Sequence, residues 1–122
     1  VILAAGGSSR LGQPKQLLRF QGEVLVRRST AAALEAGLDP VIVVTGSLAE
    51  QVEAALAGLP VRISRNTGWR SGLAGSIRTG LTTLGRQADA AVFMPVDQPA
   101  VTAALLRSLA ALHHRREAPV PV

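Results

Sequence analysis

Cysteine and tyrosine are missing from these 122 residues, and aromatic side chains amount to 2%: Phe20, Phe93 and Trp69. Without cysteine there is no disulfide framework and no thiol-based metal or redox chemistry. With so few rings, the core has to be assembled from Ala, Leu, Val and Ile, which suits helices packed on a buried sheet. Long apolar runs are missing as well. None approaches the roughly 18 residues that span a bilayer, and the opening "VILAA" lacks the preceding charged segment of a signal peptide. A cytoplasmic protein with no membrane partner is expected. Lysine is the scarcest charge: Lys15 is one of 13 basic residues, the rest being arginine, in a net charge of +5. A positive balance admits polyanionic partners. The arginines are scattered, however, and the rings that stack on bases are nearly absent, so nucleic acid is not expected.

What the chain does contain is 48% hydrophobic residues, in a length sufficient for one domain with a real core. Val/Ile-rich runs alternate with helical stretches, and there is no internal repeat. Val1 to Ala5 reads as a strand running into a glycine loop, and Val24 to Ala36 as an amphipathic helix closed by Gly37. "PVIVVTG", residues 40–46, is continuously apolar, the pattern of a strand buried on both faces. Ser47 and Glu50 match a capping box for a helix reaching Ala57 and stopping at Gly58. "VRISRN" alternates and reads as a less buried strand, and "LAGSIRTGLTTL" reads as a helix. Ala90 to Asp97 reads as a second buried strand, and Thr102 as the cap of a last helix to about His113. Four strand–helix alternations predict βαβ units and a mostly parallel sheet covered on both sides. The missing initiator methionine and the final "EAPVPV", which looks like the approach to a further strand, predict truncation at the C-terminus.

In such a sheet, ligands bind beyond the carboxyl ends of the strands. Gly6, Gly7, Ser8, Ser9 and Arg10 follow the first strand, and Thr45 and Gly46 the second. Asn66 and "TGWRSG" follow the third, and Asp97 ends the fourth. The first loop is not a P-loop, because Gln13 stands where lysine should follow the second glycine. Nor does it contain G-x-G-x-x-G. Two glycines and two hydroxyls flanked by Arg10 and Lys15 suggest a different polyphosphate cradle. Glycines let backbone N–H groups approach phosphate oxygens, arginine grips two oxygens at once, and lysine supplies a mobile point charge. A surface turn with two solvated charges fits the same residues. An aspartate ending an apolar strand needs a counter-charge, which Mg²⁺ shared with phosphate oxygens would supply. Capping the helix after Pro99 is the alternative role for Asp97.

The string "LAAGGSSRLGQPKQLL" resembles the signature L-A-A-G-x-S-x-R-[ML]-G-x-x-K of the nucleotidyltransferases related to the molybdenum cofactor enzymes. "LAAG" with "PK" is similar to the cytidylyltransferase branch, whereas the guanylyltransferase branch usually reads "LAGG" and "DK". "VVTG", "NTGWRSGLAGSI" and "DQP" follow in the family's order, so the resemblance covers residues 1–100. It implies a three-layer α/β/α Rossmann-like fold of the nucleotide-diphospho-sugar transferase type, with residues 1–122 forming a single nucleotidyltransferase domain. It also implies transfer of a nucleotidyl group, CMP from CTP, to a phosphorylated acceptor, molybdopterin, with Mg²⁺ and release of pyrophosphate. By the same resemblance Leu3, Ala4, Ala5, Gly6, Gly7, Ser8, Ser9, Arg10 and Lys15 bind the nucleotide. Gly72 and Ser76 would lie near base and ribose, and Asp97 would bind the metal. Arg10, Lys15 and Asp97 would be catalytic. The family's C-terminal portion, which helps form the acceptor side, has no counterpart here. A nucleotidyltransferase for another acceptor, such as a sugar phosphate, is one alternative. A non-catalytic nucleotide-binding factor serving a molybdoenzyme partner is another.

The reaction itself asks little of side chains. An acceptor phosphate oxygen is already ionised, so the protein positions groups and offsets charge, and no general base is needed. Other conspicuous residues have plainer readings. Trp69 is expected to anchor its loop by packing, and Asn66 either contacts ribose or caps a turn. His113, His114, Arg115 and Arg116 form a solvated tail, while Arg27, Arg28 and Arg78 lie on exposed helix faces and Met94 in the core.

Overall fold

The computed structural model describes residues 1–7, 14–98 and 100–117, the last four as backbone alone. The chain begins with β1 (Ile2–Ala4), a short 3₁₀ turn (Lys15–Leu17), β2 (Arg19–Phe20), β3 (Glu23–Val24) and α1 (Leu25–Glu35). It continues with β4 (Ile42–Thr45), α2 (Ala49–Ala55), β5 (Arg62–Arg65), a second 3₁₀ turn (Trp69–Ser71), α3 (Leu73–Leu84), β6 (Met94–Pro95) and α4 (Ala103–Glu117).

Two of the uninterrupted apolar runs, those of β1 and β4, take the inner positions of the sheet. All four residues of β4 are buried, while β5, with its alternating charges, is an exposed edge. The four strands β5-β4-β1-β6 pair in parallel, with Ala4 opposite Thr45 and Thr45 opposite Arg65. One face of the sheet (Ile2, Ala4, Val43) packs on Val26 of α1, Val52 of α2 and Leu106 of α4. Ile42 and Val44 meet Leu84 of α3 on the other face. Ser64 and Thr83 share a 2.7 Å hydroxyl hydrogen bond there, tying β5 to α3. The expected three-layer α/β/α architecture is therefore present. The chain steps outward from β1 to β4 to β5, then returns through α3 to the opposite side of β1. The strand order thus reverses between β1 and β6, and a crevice opens beyond their carboxyl ends.

Several local expectations are corrected. Ser47 does not cap α2. Leu48 takes that place at φ 51° with no side-chain cap. Ser47 is held elsewhere, donating its N–H to Ala5 O at 3.1 Å and accepting from Gln16 Nε2 at 3.5 Å. The run from Ala90 to Asp97 is neither wholly strand nor wholly buried. Pairing is confined to Met94–Pro95, and residues 91–93 are half-buried. Among the described residues this strand has a neighbour on one side only, and Pro95 has no N–H to donate. The β2–β3 hairpin was not foreseen. Its turn, Gln21-Gly22, has φ of 52° and 83°, the backbone of a type I′ turn without the usual Asn or Asp. Thr102 does cap α4, accepting Leu105 N–H at 3.2 Å, and that helix runs on to Glu117.

Arg27 and Arg28 are half-buried, not exposed, because α1 meets other elements along that face. The Arg28 guanidinium lies 4.8 Å from the centre of the Phe20 ring. Arg27 donates to Ala55 O and Ala57 O, both at 3.0 Å, and so caps the carbonyls that end α2. Replacing it with methionine keeps much of the packing and removes both bonds. Urea unfolding of Arg27→Met should show a loss of about 1–2 kcal/mol.

Candidate functional site

A cleft of about 470 Å³ lies at the reversal of strand order, lined by Leu3 to Gly7 from β1 and its loop and by Pro95 to Asp97 from β6. Lys15, Gln16, Trp69, Arg70, Gly72, Leu73 and Ser76 complete the wall. Of the candidate residues, Leu3, Ala4, Ala5, Gly6, Gly7, Lys15, Gly72, Ser76 and Asp97 therefore converge on one place. Ser8, Ser9 and Arg10 lie outside the described residues. Thr45 does not line the cleft. It is fully buried behind it, and its hydroxyl has no partner among the described residues.

Lys15 Nζ lies 3.2 Å from Asp97 Oδ2, across 82 residues of sequence. Both side chains are open to water, at 54% and 39% exposure, so the pair adds only about 0.2–1 kcal/mol to stability. Its significance is positional. The lone lysine and the strand-end carboxylate share one wall of the cleft. Asp97 is exposed and not buried as expected, so it needs no counter-charge, and Lys15 is simply the cation beside it among the described residues. Asp97 does not cap α4, since Thr102 does.

The glycines divide by what surrounds them. A Cβ on Gly7 would come within 2.8 Å of the Trp69 ring, and one on Gly46 within 2.7 Å of Trp69 Cβ and 2.9 Å of Ala5 O. Trp69 thus packs over both loops, as expected, and lines the cleft as well. A Cβ on Gly6 would meet nothing within 4 Å among the described residues, so no described contact requires glycine there. Gly72 sits at φ 109°, ψ −178°, a backbone that glycine alone adopts readily, and starts α3 with no side-chain cap. The first N–H groups of α3, at the positive end of its dipole, are therefore beside the cleft. Ser76 is buried, and its oxygen accepts from Asn66 Nδ2 at 3.0 Å, which leaves its own proton free to donate. Asn66 also accepts from Gly68 N–H at 3.1 Å. It shapes the turn, one of the two roles the sequence allows it.

Two residues were missed. Gln16, only 2% exposed, donates to Ala4 O, Gly6 O and Ser47 O. A polar residue opening the "QLL" run was the available signal. Arg70 adds a second cation at the mouth, 5.1 Å from the Trp69 ring centre. No three His, Asp or Glu among the described residues are grouped to form a protein-only metal cage. A hard cation held by one carboxylate and by substrate oxygens fits the donors present, because Asp97 is the carboxylate of the cleft wall and the open face of Gly6 leaves room for phosphate.

These contacts predict opposite outcomes for neighbouring glycines. Gly7→Ala and Gly46→Ala should each cost about 1–3 kcal/mol of stability through overpacking. Gly6→Ala should leave stability unchanged or raise it by about 0.4–1 kcal/mol. Thermal unfolding of the three variants side by side checks this.

The whole chain, residues 1–122, matches the MobA-like NTP transferase domain. Among curated proteins it is 34% identical over 114 residues to nicotine blue oxidoreductase of Paenarthrobacter nicotinovorans, covering 93% of this chain and 55% of that protein. It is 35% identical over 116 residues to molybdenum cofactor guanylyltransferase of Xanthomonas euvesicatoria, covering 95% and 55%. In structure it resembles a nucleotidyl transferase from Methanothermobacter, with TM-score 0.77, 36% identity, and 90% and 55% of the two chains covered. It also resembles a Mycobacterium tuberculosis protein solved with manganese, with TM-score 0.69, 30% identity and coverage of 92% and 57%. The chain spans about half the length of these relatives. With its signature loop, three-layer fold and cleft at the β1/β6 reversal, the chain belongs to the MobA-like NTP transferase family.

Proposed function

We propose that this chain carries the nucleotide side of a Mg²⁺-dependent nucleotidyltransferase, which moves a nucleotidyl group from an NTP to a phosphorylated acceptor and releases pyrophosphate. One observation carries the reading: Lys15 and Asp97 meet at 3.2 Å in a cleft whose other walls are the Gly6–Gly7 loop and the start of α3. Cation, carboxylate and outward-facing N–H groups are what a triphosphate with its metal requires. In this reading Leu3 to Gly7, with Ser8, Ser9 and Arg10, surround the phosphates, and Gly72 and Ser76 sit by the ribose and base. Asp97 would hold Mg²⁺, which would supply charge neutralisation on the phosphates when bound. A relative solved with manganese supports a divalent metal. Lys15 leaves Asp97 for a phosphate oxygen as the nucleotide enters, and with Arg10 it offsets charge on the departing pyrophosphate.

The base is proposed as cytosine, from "LAAG" and "PK". The relative named as a guanylyltransferase points to guanine, so both belong in the test. Its name supports molybdopterin as the acceptor, and the proposed location is the cytoplasm. The described residues include no helix long and apolar enough to cross a membrane. A second reading comes from the relative named as an oxidoreductase. A cradle for several phosphates also accepts the pyrophosphate of a nicotinamide dinucleotide.

Melting temperatures would be measured with CTP, GTP, ATP, NADH and NADPH, each with and without Mg²⁺. A ligand at 100 times its dissociation constant adds about 2.7 kcal/mol, a shift of several degrees for a chain of this size. Stabilisation by one triphosphate with Mg²⁺, abolished in Lys15→Ala and Asp97→Ala, is the expected result. Asp97→Ala alone should change the ligand-free stability by less than about 1 kcal/mol. Stabilisation by a dinucleotide alone would replace this reading with the oxidoreductase one.

A further inference from the structure

We infer that Gln16 is the positioning residue that aims the Gly6–Gly7 loop at polyphosphate, an inference that rests on the nucleotide reading above. Its side chain is 2% exposed, yet its outer end is spent on backbone, not on core. Nε2 donates to Gly6 O at 2.9 Å and Ala4 O at 3.2 Å, with Ser47 O further away at 3.5 Å. The end of β1, its loop and the loop after β4 are thereby tied to one amide group.

The geometry of the peptide bond gives this anchoring a direction. In a trans peptide the C=O and the following N–H point opposite ways. Holding Gly6 O against Gln16 therefore turns the Gly7 N–H away from Gln16. Trp69 closes on Gly7 and keeps the loop from rotating. No hydrogen-bond partner is seen for the N–H of Gly6 or Gly7 among the described residues, so both are available to a ligand. Gln16 also shares its 3₁₀ turn with Lys15. One buried amide thus sets the spacing between the loop N–H groups and the ammonium that would grip the same phosphates. The residue type follows. A methionine of equal reach has no donors, a carboxylate would repel the carbonyls, and a lysine would bury a charge.

The experiment compares the full chain with Gln16→Met, using inorganic tripolyphosphate and Mg²⁺ as the probe. Affinity is measured by calorimetry and backbone amide shifts by NMR, below the melting temperature of each protein. Loss of aim should weaken tripolyphosphate roughly tenfold or more, the effect of misdirecting a charge-assisted hydrogen bond. In the wild type the Gly7 amide should move on titration. In Gln16→Met it should stay still, while the Gly72 amide still responds. A residue that merely fills space would lower the melting temperature without changing which amide responds. Binding by Gln16→Met within about twofold of wild type overturns the inference. So does a wild-type titration in which other cleft amides shift and Gly7 does not, whether or not the variant folds. Failure of the wild type to bind tripolyphosphate at all would instead bring down the nucleotide reading.

Discussion

The site depends on β1 being an inner strand. It is three residues long, with β4 on one edge and β6 on the other, so both rows of its backbone groups are taken up by neighbours. Helices cover both of its faces. A strand with no free edge and no free face can present only its two ends, and its carboxyl end is the one beside the cleft. That end lies where the strand order reverses, so the loop that follows has open space in front of it and packed structure behind. Trp69 and Gln16 then act on that loop, one by packing over Gly7, the other by holding Gly6 O. The cradle is thus a consequence of sheet order, refined by two side chains.

The electrostatics of the cleft bear on why the basic residue beside Asp97 is a lysine, when the other basic residues, Arg70 at the mouth included, are arginines. Arginine facing Asp97 would hold the carboxylate through two parallel hydrogen bonds in a fixed plane. Lys15 touches a single oxygen, and both partners remain wet. Such a contact costs little to break, which on the proposed reading would let the ammonium move to an arriving phosphate and free the carboxylate for a cation. Arginine serves well where firmness is wanted. Arg27 capping α2 and Arg65 on Glu53, at 2.8 Å, are of that kind.

Elements with a strong period or a punctuating residue were legible in the sequence. α3 covers the twelve residues of "LAGSIRTGLTTL", between Gly72 and Gly85, because both glycines adopt positive φ at its ends. β4 was legible because four consecutive apolar residues have few other places to go. The hairpin at Gln21-Gly22 was not, since arms of two residues carry no period. The Ser47–Glu50 pattern misled because a cap is a local preference, while Ser47 is engaged by Ala5 and Gln16. At the cleft, the charged residues and glycines announced themselves. Gln16 did not, because its value lies in carbonyls far from it in sequence, and one-letter code does not record where carbonyls point.

The relatives carry names of different reactions, and the cleft shows how one frame can serve them. On the proposed reading, backbone N–H groups, one lysine and one carboxylate would recognise phosphate and a hard cation. None of these distinguishes one base from another, or a nucleotide from a dinucleotide. Discrimination has to come from what touches the rest of the ligand, and the side chains at the mouth are few. Leu73 stands 63% exposed at the start of α3, with Arg70 stacked against Trp69 beside it. A large apolar side chain left in water is ordinary when isolated. Next to a ring, a guanidinium and the proposed phosphate cradle, it would offer a surface on which a planar group could lie. The match to the family runs over the whole chain, and on the proposed reading the choice of reaction would fall to the rim, where the fold constrains the side chains least.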